Sequence, residues 1–97
     1  MILERDIFQA KYGRGDELVA LLKEGKAMIA KGGAKNFRIL TDLAGPYFTV
    51  IMETEYRSLG DMEKGMALMD DPGFGPWFQR MVPLVDHGSR ELFTIVD

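Results

Sequence analysis

The sequence predicts an α+β fold: a four-stranded antiparallel sheet in the ferredoxin-like order β-α-β-β-α-(α)-β, with its helices on one side. Two observations predict it. Four stretches alternate apolar and polar residues with the period of a strand, and the intervals after the first and third repeat apolar residues with the period of a helix. The connections are short and rich in Gly, Asp and Pro, and the chain has no repeat, linker or low-complexity stretch. A chain of 97 residues is expected to form a single domain over residues 1–97, whose modest core makes any uncovered apolar face consequential.

The first strand is expected at about Arg5–Tyr12, with Asp6, Phe8, Ala10 and Tyr12 on one side and Arg5, Ile7, Gln9 and Lys11 on the other. The stretch "GRGDE" turns the chain; its glycines tolerate positive φ, and Asp16 and Glu17 suit the positive end of a helix dipole. Leu18, Leu21, Leu22, Gly25 and Ile29 then form one stripe of a helix running to about Ala30, ended by "KGGAK". Gly25 costs about 1 kcal/mol of helix propensity relative to alanine. A close approach of this helix to the sheet would explain it. A strand at about Asn36–Thr41, the turn "DLAGP" and a strand at Tyr47–Tyr56 read as a hairpin. Ser58 is placed to cap a second helix with the stripe Leu59, Met62, Met66 and Met69. "DDPG" breaks that helix, and Pro76 and Pro83 keep a third helical segment, roughly Phe74–Val85, short or kinked. "DHGS" reads as a turn into a last strand at about Arg90–Val96.

Helices on one side leave the other side of the sheet to water or to a partner, and a water-facing side is cleanly polar. Here it carries Ile7, Tyr47, Ile51 and, depending on register, Leu92 and Val96 or Phe93 and Ile95. Burying a side chain of that size is worth ~1.5–3 kcal/mol, so the simplest cover is a second copy of the same sheet about a two-fold axis. A homodimer through the open sheet face is therefore expected. The stretch "PYFTVIMETEY" divides accordingly: Phe48, Val50 and Met52 toward the helices, and Tyr47, Thr49, Ile51 and Glu53 toward the dimer interior.

Composition narrows the function classes. A net charge of −3 with no long basic cluster argues against nucleic acid as a partner. Without cysteine there is no disulfide, thiolate metal site or cysteine nucleophile, and a lone histidine does not make a typical zinc site; no cofactor is expected. No apolar run approaches the ~18–20 residues of a membrane span, and the N-terminus lacks the apolar core of a signal peptide. No membrane partner and a cytoplasmic location follow by default.

Three stretches, "IFQAKYGRGDEL", "RILTDLAGPYFTVIMETEYRSLGDME" and "DPGFGPWFQRMVPLVDHGSRELF", together resemble the NIPSNAP-like members of the dimeric α+β barrel superfamily over nearly the whole chain. The resemblance implies two sheets facing each other in a dimer. It implies little about activity, because relatives include cofactor-free oxygenases, haem-degrading enzymes and proteins of no known function. Asn36, Trp77 and His87 do not fall in the strand-helix order that the haem-degrading relatives use.

The candidate polar and aromatic residues of a pocket or dimer interior are Arg38, Tyr47, Glu53, Trp77 and His87. Glu53 in a partly apolar interior could act as a base; the plainer reading pairs it with Arg38 or Arg90, leaving Glu55 at the strand end in water. Arg38 is an anion contact or that salt-bridge partner. His87 is a lone acid or base, or an exposed loop histidine. Trp77, with Phe74 and Phe78, walls an apolar ligand pocket or simply fills the core. Three functions stay open: binding of a small apolar or aromatic metabolite between sheet and helices, cofactor-independent monooxygenase-like chemistry in the same cleft, and a pure dimerisation or interaction module.

Overall fold

The computed structural model describes residues 1–97, apart from the side chain of Leu68. Strand β1 (Ile2–Ala10) reaches further back than the alternation suggests and stops before Tyr12, which lies 81% exposed in the turn. Helix α1 (Gly15–Lys31) buries the expected stripe of Leu18, Leu21, Leu22, Gly25 and Ile29. Gly25 answers to a neighbour other than the sheet. A Cβ there would lie 2.6 Å from Cζ2 of Trp77, so the close approach is that of an indole ring to the helix backbone. Past the helix, Gly33 takes φ +91°, the left-handed turn that frees the chain to return as a strand.

Strands β2 (Lys35–Thr41) and β3 (Thr49–Tyr56) pair antiparallel, with a bulge between Lys35 and Arg38 where Asn36 has φ +52°. Their connection is longer than the five-residue turn expected from "DLAGP". Phe48 adopts φ +60°, which ends the alternation and leaves Tyr47 and Phe48 outside the strand. The Phe48 ring still reaches the core, packing over Gly15 at a spot where a Cβ would come within 3.2 Å of it. Asp42 fastens the loop: its Oδ1 accepts from the Thr49 amide at 3.1 Å and its own amide donates to the Thr49 carbonyl at 3.2 Å.

Helix α2 (Leu59–Gly65) is capped as expected, the Ser58 hydroxyl accepting from the Asp61 amide at 3.1 Å. It gives way to a 3-10 segment, Met66–Asp70, instead of continuing as one α-helix to Met69. Gly65 sits against Gly32, where a Cβ would lie 2.6 Å from the Gly32 carbonyl oxygen; only glycine lets the two backbones meet there. Helix α3 (Phe74–Met81) ends in a 3-10 turn at Val82–Leu84 around Pro83. Strand β4 (Val85–Thr94) follows directly, so "DHGS" is strand and not turn.

The sheet order is β2-β3-β1-β4, antiparallel throughout. This is the ferredoxin-like arrangement. Leu18, Leu22, Val50, Met52, Met81 and Leu84 are buried in the layer between sheet and helices. Edge strand β4 remains exposed along almost its whole length, so one side of the helix-covered surface stays open.

Candidate functional site

On the open face of the sheet, Glu53 on β3 lies between two arginines from the flanking strands. Register places Arg5 of β1 and Arg38 of β2 directly opposite it. The Arg5 Nε donates to Glu53 Oε2 at 2.7 Å and the Arg38 Nε to Oε1 at 2.6 Å, leaving the carboxylate 2% exposed. Burial alone pushes its pKa up, but the hydrogen bonds and charges of Arg5 and Arg38 outweigh that and hold it below the ordinary carboxylate value. A carboxylate held this way is an ion-pair anchor and a poor base. Arg90 is not its partner: it projects from β4 on the helix side, its Nε 3.4 Å from Asp6 Oδ1. Around the anchor the face is partly apolar, with Leu3, Ile7 and Ile51 half-buried, Leu40 and Phe93 exposed, and the Arg5 guanidinium 5.1 Å from the Phe93 ring centroid.

The helix side of the sheet carries two separate hollows. In one, Phe8, Phe78, Met81, Val82, Val85 and Gly88 line an apolar space of about 270 Å³. Phe78 and Val82 are 44% and 52% exposed toward it and solvent. Gly88 makes room, since a Cβ there would meet the Ile7 carbonyl oxygen at 3.1 Å and the Phe8 ring at 3.5 Å. In the other, Glu4, Tyr56 and Arg90 share a smaller space of about 70 Å³ with Met62, Met66 and Met69. Register puts residues of both on the same side of the sheet: Phe8 faces Gly88, Asp6 faces Arg90 and Glu4 faces Leu92. Burial, and then the hydrogen bond and charge of Asp6, push the Glu4 carboxyl up to about 7 against the opposing pull of Arg90. A roomier depression of about 640 Å³ lies beyond the end of α1, where Met28 and Ala67 sit among Lys31, Lys35, Arg57, Lys64, Asp61, Asp70 and Asp71.

The residues expected to form a site are thus dispersed. Arg38 and Glu53 meet on the open face. His87 is on that face too, but in β4 beside Gln9 and not in a turn. Tyr47 is 72% exposed in the β2–β3 connection, where its carbonyl accepts from the Gln9 side chain; it is not part of a sheet face. Trp77 donates its Nε1 proton to the Leu21 carbonyl at 2.8 Å and lies against Gly25, half-buried on the edge of the core, while Phe78 beside it lines the apolar hollow. Glu55 is not simply solvated, since its Oε1 accepts from Asn36 Nδ2 at 3.1 Å. The sequence reading does not single out Glu4, Asp6 and Tyr56, and it offers Arg90 only as a partner of Glu53. The signal was present: Glu4 and Asp6 continue the row of Phe8 and Ala10, putting two acids where a core-facing row is normally apolar. Among the described residues no group of three or more His, Cys, Asp or Glu is placed to hold a metal ion.

No protein-family model matches this sequence, and no curated protein matches it. Solved structures do. An uncharacterized NIPSNAP domain protein from Burkholderia xenovorans superposes with a TM-score of 0.87 at 19% identity, over 99% of this chain and 95% of that one. A NIPSNAP family protein from Agrobacterium tumefaciens gives 0.83 at 25% identity, over 99% and 86%. The chain has the fold of the NIPSNAP proteins. SnoaB, a cofactor-independent oxygenase from Streptomyces nogalater, is similar at a TM-score of 0.77 and 16% identity, over 99% and 93%. Among the described residues no helix is long and apolar enough to cross a membrane.

Proposed function

We propose that this chain, acting as one domain, binds a small apolar or aromatic metabolite in the cleft between the sheet and the helices. The observation that carries the reading is the open apolar hollow of about 270 Å³ against Phe8, kept free by Gly88 and walled by the half-exposed Phe78 and Val82. Solvating such surface is unfavourable, and a ring compound removes it from water. A thermal-shift screen of quinones and small aromatic acids tests it. A ligand at 100 times its dissociation constant stabilises a protein by ~2.7 kcal/mol, and no shift across the set counts against the reading.

A second reading is a cofactor-independent monooxygenase-like activity between the same sheet and helices, favoured by the likeness to SnoaB and by the Glu4 carboxyl of the neighbouring hollow being pushed up to about 7, within reach of proton transfer at neutral pH. Oxygen uptake with a ligand found in the screen separates the two. The proposal includes a homodimer through the open face, supported by the half-buried Ile7 and Ile51 and the exposed Leu40 and Phe93 around Glu53, and checked by light scattering at micromolar concentration. It also includes a cytoplasmic location, checked by fractionation.

A further inference from the structure

We propose that the thioethers of Met62, Met66 and Met69 form a site for a soft monovalent metal ion, Cu(I). The site is independent of the apolar hollow against Phe8, with which it shares no lining residue.

The placement of the methionines is the first argument. Leu59, Met62, Met66 and Met69 form the stripe that period alone assigns to the core, yet none of them is buried. Met62 is half-buried, Met66 is 42% exposed and Met69 56% exposed. Removal of apolar surface from water therefore does not account for a run of methionines here. Nor do they scatter. Met62 and Met66 are four positions apart, and Met66 and Met69 are three apart in the 3-10 segment, where side chains at that spacing eclipse. All three line one small hollow, together with Glu4 of β1, Tyr56 of β3 and Arg90 of β4. The other methionines make no such group: Met52 and Met81 are in the core and Met28 is in the depression beyond α1.

The chemistry of the hollow is the second. Thioether sulfur is a soft, polarizable donor that selects Cu(I) and leaves hard ions such as Mg(II) to oxygen ligands. A space of about 70 Å³ is far below the ~300–1,000 Å³ of an organic-ligand pocket and suits a single ion. The charges admit a cation. Arg90 engages Asp6 through Nε at 3.4 Å, so those two compensate each other, and the Glu4 carboxyl is left to face a further positive charge. The exposed parts of Met66 and Met69 give the ion a way in.

The test is a titration of the wild-type chain with silver nitrate in chloride-free buffer, followed by the NMR signals of the methionine methyl groups. Ag(I) shares the donor preference of Cu(I) and keeps its oxidation state in air. The Met62, Met66 and Met69 methyls are expected to shift together and to saturate at one equivalent, with Met1, Met28, Met52 and Met81 unmoved. Cu(I), kept reduced by ascorbate under argon, is expected to move the same three, and Mg(II) none. Met66→Leu keeps the side-chain volume, and so the fold, and is expected to weaken Ag(I) binding about tenfold or more; Met28→Leu is expected to leave it unchanged. Shifts that spread to Met1 and Met28 without saturating mean adventitious contact with exposed sulfur and overturn the proposal. Unchanged affinity in Met66→Leu, or no shift with Cu(I), overturns it as well. None of these outcomes touches the apolar hollow, whose screen is read separately.

Discussion

Gly25 offers a direct test of how Trp77 is held. In Gly25→Ala the new Cβ lies 2.6 Å from Cζ2, 2.8 Å from Cε2 and 3.0 Å from Nε1 of the indole, against the ~3.5–4.0 Å of an ordinary carbon contact. The ring cannot simply slide away, because its Nε1–H donates to the Leu21 carbonyl at 2.8 Å. Overpacking of this kind costs about 1–3 kcal/mol, and breaking the indole hydrogen bond adds about 0.5–1.5 kcal/mol. Against that, alanine gains about 1 kcal/mol of helix propensity. The net expectation is a destabilisation of about 1–3 kcal/mol, or a Tm lower by roughly 4–20 °C for a domain of this size. Circular dichroism gives the melt. Trp77 is the only tryptophan, so its emission reports the displaced ring without interference. Gly25→Ala in a Trp77→Phe background is expected to cost less than in wild type, the two sites being in contact. A Tm that rises, with unchanged emission, refutes the reasoning and shows Gly25 to be an ordinary helical glycine.

Other perturbations separate the two faces of the sheet. Glu53→Gln is expected to destabilise by about 1–2 kcal/mol at pH 7, since charge-assisted hydrogen bonds are lost but both arginines can rehydrate. Because the folded-state value of Glu53 lies below its ordinary 4.5, the stability it contributes is present above that pH and lost below it; wild-type and variant urea midpoints should converge in acid. Glu4 has the opposite sign. With its folded-state value raised from 4.5 to about 7, stability is fully present below pH 4.5 and declines as pH rises to about 7, so Glu4→Gln should gain on wild type over that window by roughly 1–3 kcal/mol, the partial exposure of Glu4 trimming the full conversion. Equal slopes in the two melts would refute the placement of Glu4 beside Asp6. Phe93→Asp on the open face is expected to yield a monomer in light scattering with little change in the melt of the monomer fold, whereas a persisting dimer would move the interface elsewhere.

Local rules carried the sequence a long way. Period and turn chemistry are properties of neighbours in the chain, so the α1 stripe, the Ser58 cap and the strand-helix order were legible from Leu18–Ile29, Ser58–Asp61 and the glycine-rich breaks alone. The alternation of β3 likewise placed Val50 and Met52 in the core and Glu53 on the other face. What alternation could not supply was the point where it stops. Phe48 with φ +60° and the bulge at Asn36 reset which side each neighbour takes, and both depend on how β2 and β3 meet. "DHGS" has turn composition, yet pairing with β1 makes it strand, and Gly88 is there to receive the Phe8 ring.

The site lies on that same divide. Sequence order offered Arg38 and Arg90 equally as partners of Glu53, but it holds no information about which residue stands opposite across a sheet. Register decided it, giving Glu53 to Arg5 and Arg38 and turning Arg90 to the helix side with Asp6. Glu4 and Arg90 stand 86 positions apart by number yet share one hollow under the methionines of α2 and the segment after it. Pattern along the chain settles which elements form and which residues each turns inward. Which of them meet is settled by packing, because hydrogen bonds, desolvation and charge act through space over a few ångströms, whatever the separation along the chain.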